Sequence, residues 1–364
     1  MDAAVYPDWS GLPEDLTAMV MRRLDIPNLF RAGTICTAWY AAYSAVRRVR
    51  IPIKDSSPCL LYSCAGDDPD IATLYSPTAG TTFKVRLPAP AFRTRHVLGG
   101  GHGWVVTADE ASSLQALNPL TGTQVDLPPA TGLHHIESST DEQGRPVYSV
   151  YDKLYPDTPG LYAPRELRMY LYHRVVLSCS PSAGRDCIVL LLHEQHGEMS
   201  YDARLGDGRC TLVTGNETVP WNFGYRTAAY NKDDGFCIAF APWDDTLHVS
   251  RHTLLRTLTD PVQVPQEHAR EVINPCLESY TDEMELYKVD IDGGKLAKIR
   301  GLDLLRHALF LGFNSSILHS TKDNLPRLKP NCAYLADDNW EQIGINMFGC
   351  RDLGIRNFET YKNT

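Results

Sequence analysis

The sequence predicts a mainly β protein with a small α-helical module at its N-terminus. Three observations carry that prediction. Apolar residues recur at helical spacing only between about Leu12 and Val46. After Arg50 they fall in short runs broken by Gly, Pro, Asn and Asp, the mark of many short strands. A Pro-x-x-Gly turn followed by Leu-Pro recurs 42 residues apart, close to the size of one four-stranded propeller blade. The expected domains are therefore a helical module over 9–50 and a β-propeller over 51–364. Its length divided by the repeat gives about six to seven blades.

The helical module builds in order. Pro13 suits a first helical turn, because its fixed φ fits there and its missing N–H would have no intrahelical partner. Glu14 and Asp15 follow where the helix dipole favours acids, and Arg22 and Arg23 close the helix where it favours cations. Leu16, Met19, Val20 and Leu24 form one apolar stripe. Asp25-Ile26-Pro27 is a second start signal, with Asp25 as N-cap, leading into Leu29, Phe30 and Ala32. A third helix is expected from about Cys36 to Arg47, with Trp39, Tyr40, Tyr43 and Val46 along it. Three helices of this length bury little area, so apolar side chains left over mark an interface.

The ordered pattern Leu12-Pro13-x-Asp15-Leu16, Val20, Arg23-Leu24, Ile26-Pro27-x-Leu29, Ile35-Cys36-x-x-Trp39 resembles an F-box. The resemblance implies docking on the Skp-type adaptor of SCF (Skp–cullin–F-box) ubiquitin ligases. By match of motif, the implied adaptor-binding set is Leu12, Pro13, Leu16, Val20, Leu24, Ile26, Pro27, Leu29, Ile35, Cys36 and Trp39. Some of these must instead hold the three helices together, and the motif does not sort them.

In the larger region, strand-like runs include Cys59–Tyr62, Gly103–Val106, Val175–Ser178, Cys187–Leu192, Phe236–Phe240, Glu285–Val289, Ala308–Leu311 and Cys332–Leu335. No strong crossover helices separate them, which argues against a parallel α/β sheet. The repeat pairs Ser76-Pro-Thr-Ala-Gly80 and Leu87-Pro88 with Asn118-Pro-Leu-Thr-Gly122 and Leu127-Pro128. Ser180-Pro-Ser-Ala-Gly184 keeps the turn without the Leu-Pro, and Asp290-Ile-Asp-Gly-Gly294 reads as another hairpin turn. The segment 134–170 departs from the repeat and is expected as a long loop or embellished blade. A propeller protects the edges of so many strands by radial closure; a sandwich explains the repeat less well.

Several stretches of this region resemble the propeller behind the F-box in a large plant family, the KIB-type β-propeller F-box proteins. They are Gly103-Trp104 with Asn118–Gly122 and Leu127-Pro128, then Ala308-Leu-Phe-Leu-Gly312, then Leu328-Lys-Pro-Asn331-Cys332-Ala-Tyr334-Leu-Ala-Asp-Asp338, and Asp352-Leu-Gly354. Each is weak alone, and their order after the F-box pattern carries the match.

Composition narrows the partners. The net charge is −9, and the first 50 residues carry five acids against six bases, so the acidity lies in 51–364. An acidic body argues against a nucleic-acid-binding surface. No run approaches the length of a membrane span. The first residues have neither the basic nor the apolar region of a secretory signal, so intracellular residence, in cytoplasm and/or nucleus, is expected. The ten cysteines are then expected as buried free thiols rather than a disulfide framework.

Candidate chemistry is sparse. Gly99-Gly-Gly-His-Gly103 lacks the Lys-Ser/Thr of a phosphate loop and reads as a turn before a strand. His193-Glu-Gln-His196 has the wrong spacing for a zincin and reads as a solvated turn at a strand end. His134 and His135, if on a strand, would face opposite ways. Cys59 and Cys64 have no second pair to complete a zinc site. The acidic clusters Asp67-Asp68-Pro-Asp70, Asp233-Asp234 and Asp337-Asp338 read as turns in which Asp bonds its own backbone. Trp104, Trp221, Trp243, Tyr225 and Tyr230 read mostly as blade core. No catalytic residue, cofactor or metal site is expected. The function implied is a substrate-recognition subunit of an SCF E3 ligase. The alternatives are a non-degradative F-box scaffold, or a propeller enzyme with a helical cap.

Overall fold

A computed structural model describes residues 9–24, 26–49, 58–77, 80–151, 157–193, 200–204, 208–213, 223–231, 235–242, 248–252, 262–263, 286–290, 295–299, 306–311, 317–321, 328–335 and 354–357. The chain divides into two compact units, Met1–Arg93 with Asn118–Thr123, and Thr94–Leu117 with Gln124–Thr364.

The first unit opens with three helices, α1 (Glu14–Arg23), α2 (Ile26–Ala32) and α3 (Thr37–Val49). Pro13 is the N-cap of α1, one position ahead of the expected first turn. The Thr17 hydroxyl donates to the Pro13 carbonyl at 3.1 Å and turns its side chain inward. The expected cap Asp25 lies outside the described residues. The helices share a small core of Met21, Leu29, Phe30, Ala32, Ala42, Tyr43 and Val46. Gly33 sits where a Cβ would lie 2.7 Å from the Tyr43 ring, so only glycine lets that ring close on the α2–α3 turn. An antiparallel three-stranded sheet follows, β1 (Leu60–Tyr62), β2 (Ile71–Ser76) and β3 (Thr81–Arg86), with β2 central.

The second unit continues as antiparallel strand groups. They are β4 (His96–Gly101), β5 (Trp104–Ala108), β6 (Leu114–Leu117) and β7 (Gln124–Asp126); β8 (Ile136–Thr140), β9 (Pro146–Val150) and β10 (Gly160–Tyr162); then, after α4 (Pro164–Leu171), β11 (Tyr172–Leu177), β12 (Ile188–His193), β13 (Ser200–Arg204) and β14 (Thr211–Val213). Next come β15 (Phe223–Asn231), β16 (Gly235–Pro242), β17 (His248–His252) and β18 (Val262–Gln263), the pair β19 (Leu286–Asp290) and β20 (Lys295–Ile299), and β21 (His307–Leu311), β22 (Ile317–Ser320), β23 (Cys332–Leu335) and β24 (Gly354–Asn357). Two pairings depart from plain antiparallel meanders: β4 and β11 pair in parallel and join β4–β7 with β11–β14 into one eight-stranded sheet, and β21 and β23 pair in parallel. The chain is thus N-terminal helices followed by a strand-rich, propeller-like region.

The repeat has a structural cause. Both Pro-x-x-Gly turns close with the glycine N–H on the carbonyl four residues back, Gly80 on Ser76 and Gly122 on Asn118, each at 2.8 Å. Both glycines hold positive φ, 61° and 72°, which a side chain disfavours. Each Leu-Pro ends an outer strand. The Leu87 and Leu127 N–H groups donate to Asp70 and Leu114, the two leucines are buried, and the following proline has no N–H with which to extend the ladder.

Strand β12 shows why the region packs as layers. All six of its residues are buried. Val189 and Leu191 enter one apolar cluster with Leu98, Trp104, Val106 and α4 residues Leu167 and Leu171. Ile188, Leu190 and Leu192 enter another with Ala228 of β15. The sheet is covered on both faces, so its strand reads as a continuous apolar run rather than an alternating one. A polar stitch crosses the neighbouring group: the buried Arg95 guanidinium donates to Thr107 Oγ1 at 3.1 Å, Gln115 Oε1 at 3.0 Å and Gln124 Oε1 at 2.7 Å, one acceptor on each of β5, β6 and β7.

The segment 134–170 is a three-stranded meander with a helix rather than a long loop; residues 152–156 lie outside the described set. The hairpin expected at Asp290–Gly294 is present in the antiparallel β19–β20 register, Asp290 opposite Lys295, with its turn residues 291–294 outside the described set.

Candidate functional site

The most distinctive surface belongs to the first unit and starts at α1. A helix packed on a core normally buries its apolar stripe. Here the buried positions are Thr17 and Met21, one turn apart, while Leu16, Met19 and Val20 point outward. Leu16 is 41% exposed and Val20 40%. Pro13 before the helix is exposed and Leu12 partly so. Ile35, in the turn between α2 and α3, is 60% exposed. Cys36 and Trp39 are half-buried, and the Trp39 indole N–H donates to the Trp9 carbonyl at 3.0 Å, pinning the short 3-10 turn Trp9–Gly11 against α3. Leu24 is half-buried at the C-cap of α1. Ile26 and Pro27 open α2, and their side chains lie outside the described set. Leu29 is 3% exposed and belongs to the core that joins the helices. Trp9, Met19 and Tyr40 are exposed as well and were not among the residues the motif named. Met19 belongs to the α1 apolar stripe, three residues after Leu16, and Tyr40 follows Trp39 along α3, whereas Trp9 lies ahead of α1 and carries no periodic signal.

The F-box domain model matches residues 9–42, and the KIB1-4 beta-propeller model matches residues 74–357. The chain belongs to the KIB1-4 β-propeller family. This F-box propeller chain is 28% identical over 123 residues to F-box protein At5g25290 of Arabidopsis thaliana, covering 33% of this chain and 28% of that protein. It is 31% identical over 123 residues to F-box/kelch-repeat protein At1g57790 of the same plant, covering 33% and 32%. F-box protein At1g10110 of that plant aligns at 26% identity over 152 residues, 42% of this chain and 35% of that one. The chain thus spans about a third of the length of the curated relatives it matches. Among solved structures, one described as the complex of KlAtg21 with the coiled-coil of AgAtg16 matches with a TM-score of 0.31 at 11% identity, over 66% of this chain and 80% of that one.

The remaining polar motifs of this F-box propeller fall into structural roles. Gly99–Gly101 lie inside β4, and His102-Gly103, both at positive φ, form the two-residue turn of the β4–β5 hairpin. No helix follows, so the run makes no phosphate cradle. His193 is buried at the end of β12, not in a solvated turn, and its ring stacks on His135 at 5.2 Å. Burial, reinforced by the neighbouring His135 and His134 rings, pushes its pKa well below the usual imidazole value. His134 and His135 lie in the turn before β8 rather than on a strand. His196 lies outside the described residues. Asp67, Asp68 and Asp70 do not mainly cap their own turn: Asp67 meets Lys84 at 2.5 Å, and Asp68 and Asp70 both meet Arg86 of β3. Asp233-Asp234 and Asp337-Asp338 lie outside the described residues.

Among the described residues, Cys36, Cys59, Cys64, Cys179, Cys187, Cys210 and Cys332 are free thiols. Only Cys187 and Cys332 of these are buried; the others are partly exposed, against the expectation of buried thiols. Trp104 is core, its indole N–H donating to Ser180 Oγ at 3.1 Å. Trp221 and Trp243 and the side chain of Tyr225 lie outside the described set, and Tyr230 packs partly buried against the β12 cluster. No described group of His, Cys, Asp and Glu is arranged to hold a metal ion, and no described helix is long and apolar enough to cross a membrane.

Proposed function

We propose that the chain is a substrate-recognition subunit of an SCF E3 ubiquitin ligase. The helical module, residues 9–50, docks a Skp-type adaptor, and the strand-rich region, residues 51–364, holds a protein substrate. The reading assigns no chemistry to the chain itself. Its mechanism is effective concentration: a substrate held beside the ubiquitin carrier reacts as if tethered.

The observation that supports it most is the outward apolar stripe of α1. Leu16 and Val20 with Pro13 and Ile35 make a surface that water does not favour and an adaptor would cover. The F-box match over residues 9–42 supports the same partner. Leu12, Leu24, Cys36 and Trp39 are partly exposed members of the same proposed set, whereas Leu29 is buried in the core that joins the helices.

The test is co-purification with a Skp-type adaptor from the full chain, wild type against Leu12→Ala/Pro13→Ala and Leu16→Asp/Val20→Asp. Retention by wild type and loss in both variants is the expected result. A wild-type chain that does not retain the adaptor overturns the proposal. Adaptor binding without accumulation of any protein when the chain is removed would favour a non-degradative scaffold instead.

A further inference from the structure

Within the first unit, one side chain at the end of α3 gathers more contacts than its place in a short helix requires. The Arg47 guanidinium donates through Nε to the Leu120 carbonyl and through Nη2 to the Pro119 carbonyl at 2.7 Å. Its plane lies over two rings of the helical core, 5.5 Å from the Phe30 centroid and 5.8 Å from that of Tyr43. Phe30 in turn stacks on Phe83 of β3, centroids 5.0 Å apart at 29°. A continuous line of contact therefore runs from the Asn118–Gly122 turn through Arg47 and Phe30 to β3.

The turn is built to offer those carbonyls. Asn118 Oδ1 takes the N–H groups of Leu120 and Thr121 at 2.9 and 3.0 Å. The Gly122 N–H closes on the Asn118 carbonyl, and the Asn118 N–H bonds Thr123, both at 2.8 Å. Two successive acceptors, Pro119 O and Leu120 O, face the guanidinium. Gly122 is required by its φ of +72°, which disfavours any side chain; a Cβ there would only touch Arg47 at ordinary contact distance, 3.6 Å from Nη2. A planar fork of donors matches two adjacent carbonyls, which a lysine ammonium does not. Stacking on Phe30 and Tyr43 is equally specific to a cation over an aromatic face.

We propose that the second Pro-x-x-Gly turn is a socket for the helical module, that Arg47 is the positioning residue seated in it, and that this seat fixes the module on the β1–β3 sheet in one orientation. The repeat turn then has a use beyond closing a hairpin. The functional consequence rests on the reading of the module as an adaptor-binding unit: an adaptor bound to α1 would inherit the orientation that Arg47 sets, and with it the set of lysines that the ligase reaches.

The test has two arms on the full chain, with Arg47→Ala, Arg47→Lys and Phe83→Ala beside wild type. In the first, amide hydrogen exchange is followed by mass spectrometry. Arg47→Ala and Phe83→Ala are expected to speed exchange in α3, and Arg47→Ala in peptides over 118–123 too, by about tenfold, while β11 and β12 peptides stay unchanged. Arg47→Lys should lose most of the same protection. Equal exchange in α3 and in the turn for wild type and both Arg47 variants overturns the socket. If Arg47→Ala loosens β11 and β12 as well, it has failed to fold, and Arg47→Lys decides.

In the second arm, the chain is assembled with adaptor, cullin and ubiquitin carrier, and its own modified lysines are mapped. Wild type should modify a restricted set, and Arg47→Ala a wider one, at unchanged adaptor affinity. An unchanged set of lysines overturns the positioning role. Failure of wild type to bind the adaptor would overturn the proposed function alone, since the exchange arm needs no adaptor.

Discussion

Ile35→Ala and Leu16→Ala separate a docking surface from a helical core. Ile35 is 60% exposed and Leu16 41% exposed in the free chain, so a large share of each is left for a partner to cover. Full burial of a large aliphatic side chain is worth about 1.5–3 kcal/mol. An adaptor that covers the exposed share would gain about 1.5 kcal/mol from Ile35 and about 1 kcal/mol from Leu16. Truncation should therefore weaken adaptor binding about tenfold and about fivefold, and the pair together about fiftyfold if the sites act independently. Isothermal titration of purified chain against adaptor measures this. On the same scale the share already buried in the free chain is worth about 1 kcal/mol for Ile35 and about 1.5 kcal/mol for Leu16, so each truncation should cost the free chain no more than that. Leu29→Ala is the opposite control. At 3% exposure Leu29 belongs to the core, and its truncation should destabilise the helices by about 2–5 kcal/mol. A double variant Ile35→Ala/Leu16→Ala that binds the adaptor like wild type would refute the assignment of this surface.

Acid should destabilise the chain through two imidazoles, His193 buried and His96 half-buried. Burial, helped by the Arg168 guanidinium, lowers the His96 pKa from 6.5 to about 4, and His193 is also lowered. The folded state thus holds the neutral forms, and the stability they contribute is complete above pH 6.5 and declines as pH falls from 6.5 towards 4. The slope should be about 1.4 kcal/mol per pH unit for each histidine; urea unfolding that gives equal stability at pH 7 and pH 5 would contradict it, and His96→Gln should reduce the slope. Burial pushes the Cys187 thiol up to about 12 and the Cys59 thiol up to about 11. Both should resist iodoacetamide at pH 8 in the folded chain and react in urea, as read by peptide mass spectrometry; rapid native labelling of Cys187 would show that its strand end opens. Gly100→Ala should prevent the β4–β5 hairpin from closing, because the new Cβ would stand 2.2 Å from the Trp104 carbonyl oxygen. The expected loss exceeds about 3 kcal/mol, and a variant with wild-type thermal stability would refute it.

What could be read from the residues alone follows the range of the interactions. Local signals were legible. Pro13 with Glu14 and Asp15 announced α1, and the Pro-x-x-Gly and Leu-Pro echo announced two strand pairs whose registers match position for position. Long-range packing was not. Nothing in the spacing of His135 and His193 shows that their rings stack, because that contact depends on how β12 and the turn before β8 meet. The helix α4 was hidden for a related reason: it buries only Leu167, Arg168 and Leu171 among polar neighbours, and its Pro and Tyr content reads as loop. The motif likewise names Leu29 and Leu16 together, since both are leucines at helical positions. Only the packed helices show that one is core and the other surface.

That last distinction explains how a module this small can serve two contacts. Its core is about one side-chain layer thick, and helices of this size are marginal alone. If α1 turned Leu16, Met19 and Val20 inward to strengthen that core, the docking surface would vanish. The chain buries Thr17 and Met21 instead, with the Thr17 hydroxyl satisfied on the Pro13 carbonyl, and keeps the larger stripe outside. Within the same unit α2 and α3 gain contacts of their own, where Phe30 stacks on Phe83 and Arg47 binds the Pro119 and Leu120 carbonyls. On the proposed reading, α2 and α3 are anchored to β3 and the turn while α1 keeps its apolar residues for a partner, so loss of Arg47 should lower the helices' stability while leaving Leu16, Met19 and Val20 outward.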